Sequence, residues 1–82
     1  MHRVVKVRPL EPCQVWLRFE DGIEGVVDLA HSLREGEVLD RLRDPEVFRR
    51  VRILRGFGTV EWPGGIDFDP DVLYSRVMSA LS

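Results

Sequence analysis

The sequence predicts a small α+β domain with a curved, mostly antiparallel sheet of about five strands, short helices and a C-terminal helix. Apolar and polar side chains alternate in several short segments, which is typical of half-buried strands. An Asp-Pro-acid motif occurs at Asp44 and again at Asp69, and this motif marks the start of a helix. The 82 residues contain no linker or low-complexity tract, so we expect one domain over residues 1–82.

The first part of the chain predicts a meander of three antiparallel strands. Alternation from Arg3 to Arg8 predicts the first strand, which Pro9 should end. The second strand covers residues 14–19 and places Trp16 on the face opposite Val15, Leu17 and Phe19. Trp16 is then either a residue that packs under a second layer or a surface aromatic at an interface. A turn at residues 20–22 leads to a return strand over residues 23–28.

The middle of the chain predicts short helices. A helical turn through Leu29, Ala30 and Leu33 should follow the third strand. The spacing of residues 38, 39 and 42 then predicts one or two helical turns that cover the sheet. Asp44-Pro45-Glu46 supplies an N-cap residue, a proline at the first helical position and an acid in the first turn. We therefore expect a helix from Pro45 to about Arg50.

The last part predicts a hairpin and a longer helix. Residues 51–54 and 59–62 form the strands of the hairpin, with Gly56-Phe57-Gly58 as its turn. Pro63-Gly64-Gly65 ends the second strand. The C-terminal helix should run from Pro70 to about Leu81, with Tyr74 beside an apolar stripe formed by Leu73, Val77, Ala80 and Leu81.

The composition indicates a cytoplasmic protein without a cofactor. Cys13 is the single cysteine, so no internal disulfide forms, and this fits a reducing compartment. The sequence has no signal-peptide core and no membrane-spanning run, so we expect no membrane partner. Neither a nucleophile motif nor a glycine-rich phosphate loop is present, so we expect no catalytic residues and no enzyme.

Motifs along nearly the whole chain resemble the small bacterial domain-of-unknown-function family 2442. The most specific of them is the series from Trp62-Pro63 through Asp67 and Pro70 to Leu73-Tyr74. The other motifs are Pro9-Leu10, Phe19-Glu20-Asp21-Gly22, Val27-Asp28-Leu29, and Leu42-Arg43-Asp44 with Phe48. The resemblance implies an α+β domain with a curved antiparallel sheet and no established activity.

The same resemblance implies two functional contexts. Some relatives carry a helix-turn-helix segment after this domain, and members are often encoded beside another small protein in what resembles a toxin-antitoxin pair. The sequence ends at Ser82 without such a segment, so we expect no autonomous transcription factor.

Three aspartates near the end of the chain suggest metal chemistry. Asp67, Asp69 and Asp71 are spaced like the start of a calcium loop, but the glycine and the distal glutamate of that loop are missing. Asp69 as an N-cap and Asp71 beside the helix dipole already have structural roles. We therefore expect no metal, and a metal-dependent hydrolase is the weakest alternative. For Asp67, which is close to Trp62 in the sequence, we expect a packing and hydrogen-bonding role in the turn, and we also count it among the candidate interaction residues.

An arginine-rich segment is the candidate basic patch. The net charge of −2 argues against an overall basic nucleic-acid binder, yet residues 41–55 contain six arginines and only two acids. These arginines form either a solvated face with local ion pairs or a surface for phosphates or an acidic partner. The patch consists of Arg41, Arg43, Arg49, Arg50, Arg52 and Arg55.

These observations favour a non-enzymatic protein-interaction module, the antitoxin-like or regulatory member of a small bacterial two-protein system. The candidate contact aromatics are Trp16, Phe57, Trp62 and Tyr74, because aromatic side chains dominate interface energetics. The small core also favours a homodimer that covers leftover apolar surface. The alternative is a nucleic-acid-associated transcriptional regulator that uses the Arg41 to Arg55 segment.

Overall fold

A computed structural model describes residues 2–10, 13–29, 37–54 and 56–81. The predicted helical turn through Ala30 and Leu33 lies outside these residues. The helices and strands in chain order are β1 Val4–Leu10, β2 Gln14–Phe19, β3 Glu24–Asp28, α1 Glu37–Leu42, α2 Pro45–Phe48, β4 Arg52–Leu54, β5 Thr59–Trp62, β6 Ile66–Asp67 and α3 Pro70–Leu81.

The strands form two three-stranded antiparallel sheets, β1-β2-β3 and β4-β5-β6. The α+β class is confirmed, but the prediction of one sheet of about five strands is wrong. The two sheets touch where the amide of Val4 donates a 2.8 Å hydrogen bond to the carbonyl of Gly58. Alternation along a strand specifies its two faces, but it does not specify which strand edges pair. The second sheet also contains β6, whose two residues are too few to show a period.

The β1-β2-β3 sheet is the predicted meander, and one end of it differs from the prediction. β1 does not end before Pro9 but continues through it to Leu10. Because β1 is an edge strand, a proline there can turn its missing N–H away from the neighbouring strand. An irregularity in register between Val4 and Lys6 marks a β-bulge in the same strand.

The helices begin as the sequence predicts. The Asp44 side chain accepts a 3.0 Å hydrogen bond from the amide of Glu46, which caps α2. This helix ends at Phe48 rather than at about Arg50. The α3 helix runs over Pro70–Leu81, as predicted. No helix in the described part of the chain has the length and apolar character needed to cross a bilayer.

One hydrophobic core joins both sheets and the helices. Leu17 and Phe19 of β2 contribute to it, as do Val60 and Trp62 of β5, and all four side chains are at most 1% exposed. Leu73 and Val77 of the predicted stripe on α3 are buried in this core, whereas Ala80 is exposed. The inner face of each sheet is therefore committed to the core, so partner contacts require the outer faces, edges and turns.

Candidate functional site

Trp16 lies on the outer face of the β1-β2-β3 sheet. Val15, Leu17 and Phe19 point into the core, so the alternation of β2 turns Trp16 outward, where it is half-buried. The strand register places it between Arg8 on β1 and Val26 on β3. The structure thus shows Trp16 as a half-buried aromatic on the outer surface of the sheet, and its contact with a partner stays a prediction.

The surroundings of Trp16 combine apolar and cationic groups. The guanidinium carbon of Arg8 lies 5.8 Å from the centre of the indole ring, which is within cation-π distance. Val26 is 42% exposed, and Leu10 on the same face is 37% exposed. We call this surface the outer face, and its members are Lys6, Arg8, Leu10, Gln14, Trp16, Arg18, Glu24, Val26 and Asp28.

A groove of about 780 Å³ runs between the edge strands β1 and β4, and we call it the β1–β4 groove. Its described lining contains four cationic side chains and no carboxylate. Val7 and Ile53, both half-buried, form part of its apolar surface. Trp16 lies at its boundary with the outer face. The cationic members are Arg3, Lys6, Arg8 and Arg52.

Trp62 is a core residue, which corrects its prediction as a contact aromatic. Its side chain is 1% exposed. The indole N–H donates a 3.0 Å hydrogen bond to the carbonyl of Phe48. The ring of Phe48 stacks on one side at 5.8 Å, and Phe68 meets the indole edge-on at 5.5 Å. Trp62 therefore has no surface to offer a partner.

Phe57 and Asp67 are exposed, and both border a second groove. Phe57 lies in the turn between β4 and β5 and is 71% exposed, more than any other large apolar side chain described. Asp67 lies in β6, with its side chain in solvent. Together with Phe68 and Asp69 they line a groove of about 670 Å³. Both remain available to a partner.

Tyr74 joins three distant parts of the chain. Its ring stacks on His2 with 3.5 Å between ring centres, and it meets Phe19 edge-on at 4.9 Å. Its hydroxyl donates a 2.6 Å hydrogen bond to Oδ2 of Asp21. This bond lowers the pKa of Asp21, and it raises the pKa of Tyr74. The backbone amide of His2 also donates a 3.2 Å hydrogen bond to Oδ1 of Asp71. The cluster therefore connects the N-terminal residues to α3.

The arginines of the predicted basic patch have different surroundings. Arg43 lies 4.0 Å from Asp40, and Arg52 forms a 2.6 Å ion pair with Glu61. Arg50 lines a groove of about 410 Å³ beside the turn at Gly64, together with Arg52 and Glu61. Arg41 approaches the same turn, because its Nη1 lies 2.9 Å from where a Cβ on Gly64 would be. Arg49 is exposed, and Arg55 lies outside the described residues.

The three aspartates have separate positions. Oδ1 of Asp69 accepts a 2.8 Å hydrogen bond from the amide of Asp71, which confirms Asp69 as the cap of α3. Oδ1 of Asp71 accepts a hydrogen bond from the backbone amide of His2, and Asp67 lies in β6. Within residues 2–10, 13–29, 37–54 and 56–81, no three His, Cys, Asp or Glu side chains converge as metal ligands.

Cys13 has a structural position in the turn before β2. It is buried, and its thiol lies 3.7 Å from the carbonyl of Leu42. Burial raises the pKa of the thiol, so it stays neutral at physiological pH. Its backbone has a φ of 78°, a left-handed conformation that is uncommon for a residue with a Cβ.

Sequence reasoning missed the groove and the Tyr74 cluster. The lining of the groove comes from β1, β2 and β4 together with Arg3 and Gly58, and no spacing along the chain relates these segments. His2 and Asp21 are 72 and 53 residues from Tyr74, and only the folded chain brings them together. The basic residues of the Arg3 to Arg8 strand are the one local signal that points to the groove.

A comparison with protein families matches residues 4–79 to the family described as protein of unknown function (DUF2442). Comparisons with curated proteins and with solved structures found no match. The family match covers nearly all of the residues that form the two sheets and the helices. This confirms the resemblance carried by the motifs from Pro9-Leu10 to Leu73-Tyr74, and the chain belongs to the DUF2442 family.

Proposed function

We propose that the protein is a non-enzymatic protein-interaction module, the antitoxin-like or regulatory member of a small bacterial two-protein system. The observation that carries the proposal is the row Arg8, Trp16 and Val26 across the outer face. Tryptophan and arginine are the residue types most enriched among those that dominate binding energy. An apolar centre with charged neighbours is also the usual composition of a protein-binding patch.

The test is capture from a lysate of the source cells with a tagged protein. Wild type, Trp16→Ala and Met78→Ala are compared with and without nuclease treatment. Mass spectrometry identifies the captured proteins, and a stained gel detects nucleic acid. Met78 is the matched control, because it is an exposed apolar side chain (42%) on α3, outside the outer face. We expect a stoichiometric protein that wild type and Met78→Ala retain and that Trp16→Ala loses.

Two results would contradict this proposal. Equal capture by Trp16→Ala, with an unchanged thermal unfolding midpoint, would remove the outer face from the interaction. Recovery of nucleic acid alone, lost after nuclease treatment, would favour the alternative regulator. The observation behind that alternative is the approach of Arg41, Arg50 and Arg52 to the turn at Gly64. The ion pair of Arg52 with Glu61 reduces the positive charge there, so the alternative ranks second.

A further inference from the structure

The β1–β4 groove differs in charge from the rest of the molecule. The whole chain has 14 acidic residues and 12 lysines and arginines, so it is acidic overall. The described lining of the groove reverses this balance: it contains Arg3, Lys6, Arg8 and Arg52 and no carboxylate, and of these Arg52 is already paired with Glu61, which lies outside the lining. A partner that enters the groove therefore gains from negative charge.

The cations on β1 have the spacing of alternate positions along a strand. Lys6 and Arg8 both lie on the outer side of β1, and two residues of strand span about 7 Å. An extended peptide presents every second side chain to the same side at the same interval. Carboxylates at alternate positions of such a peptide would therefore match Lys6 and Arg8. Arg52 lies on the opposite wall, and its Nη2 forms a 2.6 Å ion pair with Oε1 of Glu61.

The groove also contains apolar surface between its cations. Val7 and Ile53 belong to opposite walls, and both are half-buried. Its volume of about 780 Å³ lies within the range of pockets that hold a compact ligand or a few residues of peptide, roughly 300–1,000 Å³. A ligand that carries both carboxylates and small apolar side chains matches this lining better than a purely anionic one.

The surroundings of Trp16 favour a peptide over single-stranded nucleic acid as the ligand of the groove. Proteins that bind single strands need aromatic rings with a free face on which bases stack. The guanidinium carbon of Arg8 lies 5.8 Å from the centre of the Trp16 ring, where it competes with a base for that face of the indole. The groove also lies between two sheet edges, and sheet edges are recurrent sites for extended peptides.

From these four observations we propose that the β1–β4 groove binds an extended segment of a partner protein in which acidic and apolar residues alternate. This inference rests on the proposed function and specifies its partner. The carboxylates contact Lys6 and Arg8, and the apolar side chains pack on Val7 and Ile53. The bulge and Pro9 in β1 limit pairing along the edge, so charge selects the segment.

The experiment is a fluorescence anisotropy titration with labelled synthetic peptides. The probe alternates Glu and Val and has seven residues, the length of β1. A second peptide has Lys in place of every Glu, and a third alternates Glu and Ser. A thymidine oligonucleotide of similar length is the nucleic-acid probe. We expect the Glu-Val peptide to bind most tightly, and its affinity to fall as salt increases.

Charge-matched variants locate the site. Lys6→Glu changes the charge inside the groove, and Arg76→Glu makes the same change on α3, outside it. We expect Lys6→Glu to weaken Glu-Val binding about tenfold and Arg76→Glu to leave it within about twofold. Lys6→Gln removes the charge without reversing it and should give an intermediate loss. Thermal unfolding of each variant verifies that it is folded.

Any one of the following results would overturn the inference. Equal binding by wild type and Lys6→Glu would place the peptide elsewhere, and equal binding of the Glu-Ser peptide would remove the apolar requirement. Tightest binding of the oligonucleotide would reassign the groove to nucleic acid. A dimer in sedimentation that Lys6→Glu dissociates would make a second copy the occupant. If no peptide binds while Trp16 still determines capture from lysate, the inference fails and the proposed function stands.

Discussion

The indole of Trp62 donates a 3.0 Å hydrogen bond to the backbone carbonyl of Phe48, and it thereby ties the second sheet to the end of α2. Both side chains are at most 2% exposed. The bond satisfies a carbonyl that α2 is too short to use within the helix.

Trp62→Phe should destabilise the fold strongly. The change removes the buried hydrogen bond and leaves unfilled volume, which together cost about 2–4 kcal/mol in the free energy of unfolding. Trp16→Phe is the matched control, because Trp16 lies on the outer face, and it should cost less than about 1 kcal/mol. Urea denaturation followed by circular dichroism measures both. Similar losses for the two variants would contradict the burial assigned to Trp62.

Thr59→Val should test the hydroxyl that connects β5 to the segment before α3. Thr59 is 5% exposed, and its hydroxyl donates to the carbonyl of Phe68. Valine keeps the shape but leaves that carbonyl without its donor, so we expect a loss of about 1–3 kcal/mol. Thr59→Ser keeps the hydroxyl and should lose only about 1 kcal/mol for the missing methyl group. If Thr59→Val is instead more stable than Thr59→Ser in chemical denaturation, the methyl group of Thr59 contributes more to stability than its hydrogen bond to Phe68.

Gly25→Ala should disturb the packing of α3 on β3. A Cβ at Gly25 would lie 2.9 Å from Cγ1 of Val77, and valine has little freedom to rotate away in a helix. We expect a loss of about 1–3 kcal/mol in the free energy of unfolding. Gly56→Ala is the control, because no described atom lies within 4 Å of its new Cβ, and it should change stability by less than about 0.5 kcal/mol.

A double variant separates the clash from other effects of alanine. Val77→Ala removes the methyl that Gly25→Ala would meet. The two changes together should therefore destabilise less than the sum of their separate costs. If the two costs measured by thermal unfolding simply add, the contact between the Cβ introduced at Gly25 and Val77 is not the cause of the loss in Gly25→Ala.

Tyr74→Phe should shift the titration of Asp21. The hydroxyl of Tyr74 is the main cause of the lowered pKa of Asp21, followed by the amide of Ile23 at 3.0 Å. Without the hydroxyl, we expect this pKa to rise toward its ordinary value of 3.8 and to remain slightly below it. Carbon-13 NMR of the side-chain carboxyl measures the shift. Met78→Leu, on the same helix, should leave the titration unchanged.

The hydrogen bond between Tyr74 and Asp21 also predicts how the stability of the fold depends on pH. A carboxylate with a lowered pKa in the folded state stabilises it at pH values above the unfolded pKa, and the contribution disappears as pH falls through the folded pKa. Tyr74 has a raised pKa, so its contribution is present below its unfolded pKa near 10 and disappears as pH rises through the folded value. Tyr74→Phe should flatten the stability profile at both ends. A wild-type profile retained in the variant would exclude the contact as its source.

Helix starts and strand positions could be predicted because their signals lie within a few residues. Asp44 and Asp69 cap the helices that follow them, as their Asp-Pro motifs indicate. The alternation of β2 correctly separated Trp16 from the core residues Val15 and Leu17. Local hydrogen bonding and the two-residue period of a strand act at this range, so sequence alone is sufficient.

The tertiary structure decided which edges pair and which side chains are covered. Trp16 and Trp62 both lie in strands with alternating residues, yet one remains on the surface and the other is enclosed by Phe48 and Phe68. Likewise, only folding divides the strands into two sheets and places Lys6 opposite Arg52 across a groove. Short-range preferences therefore determined the elements and their faces in this protein. The candidate site depends on contacts between residues far apart in the chain, which no local pattern encodes.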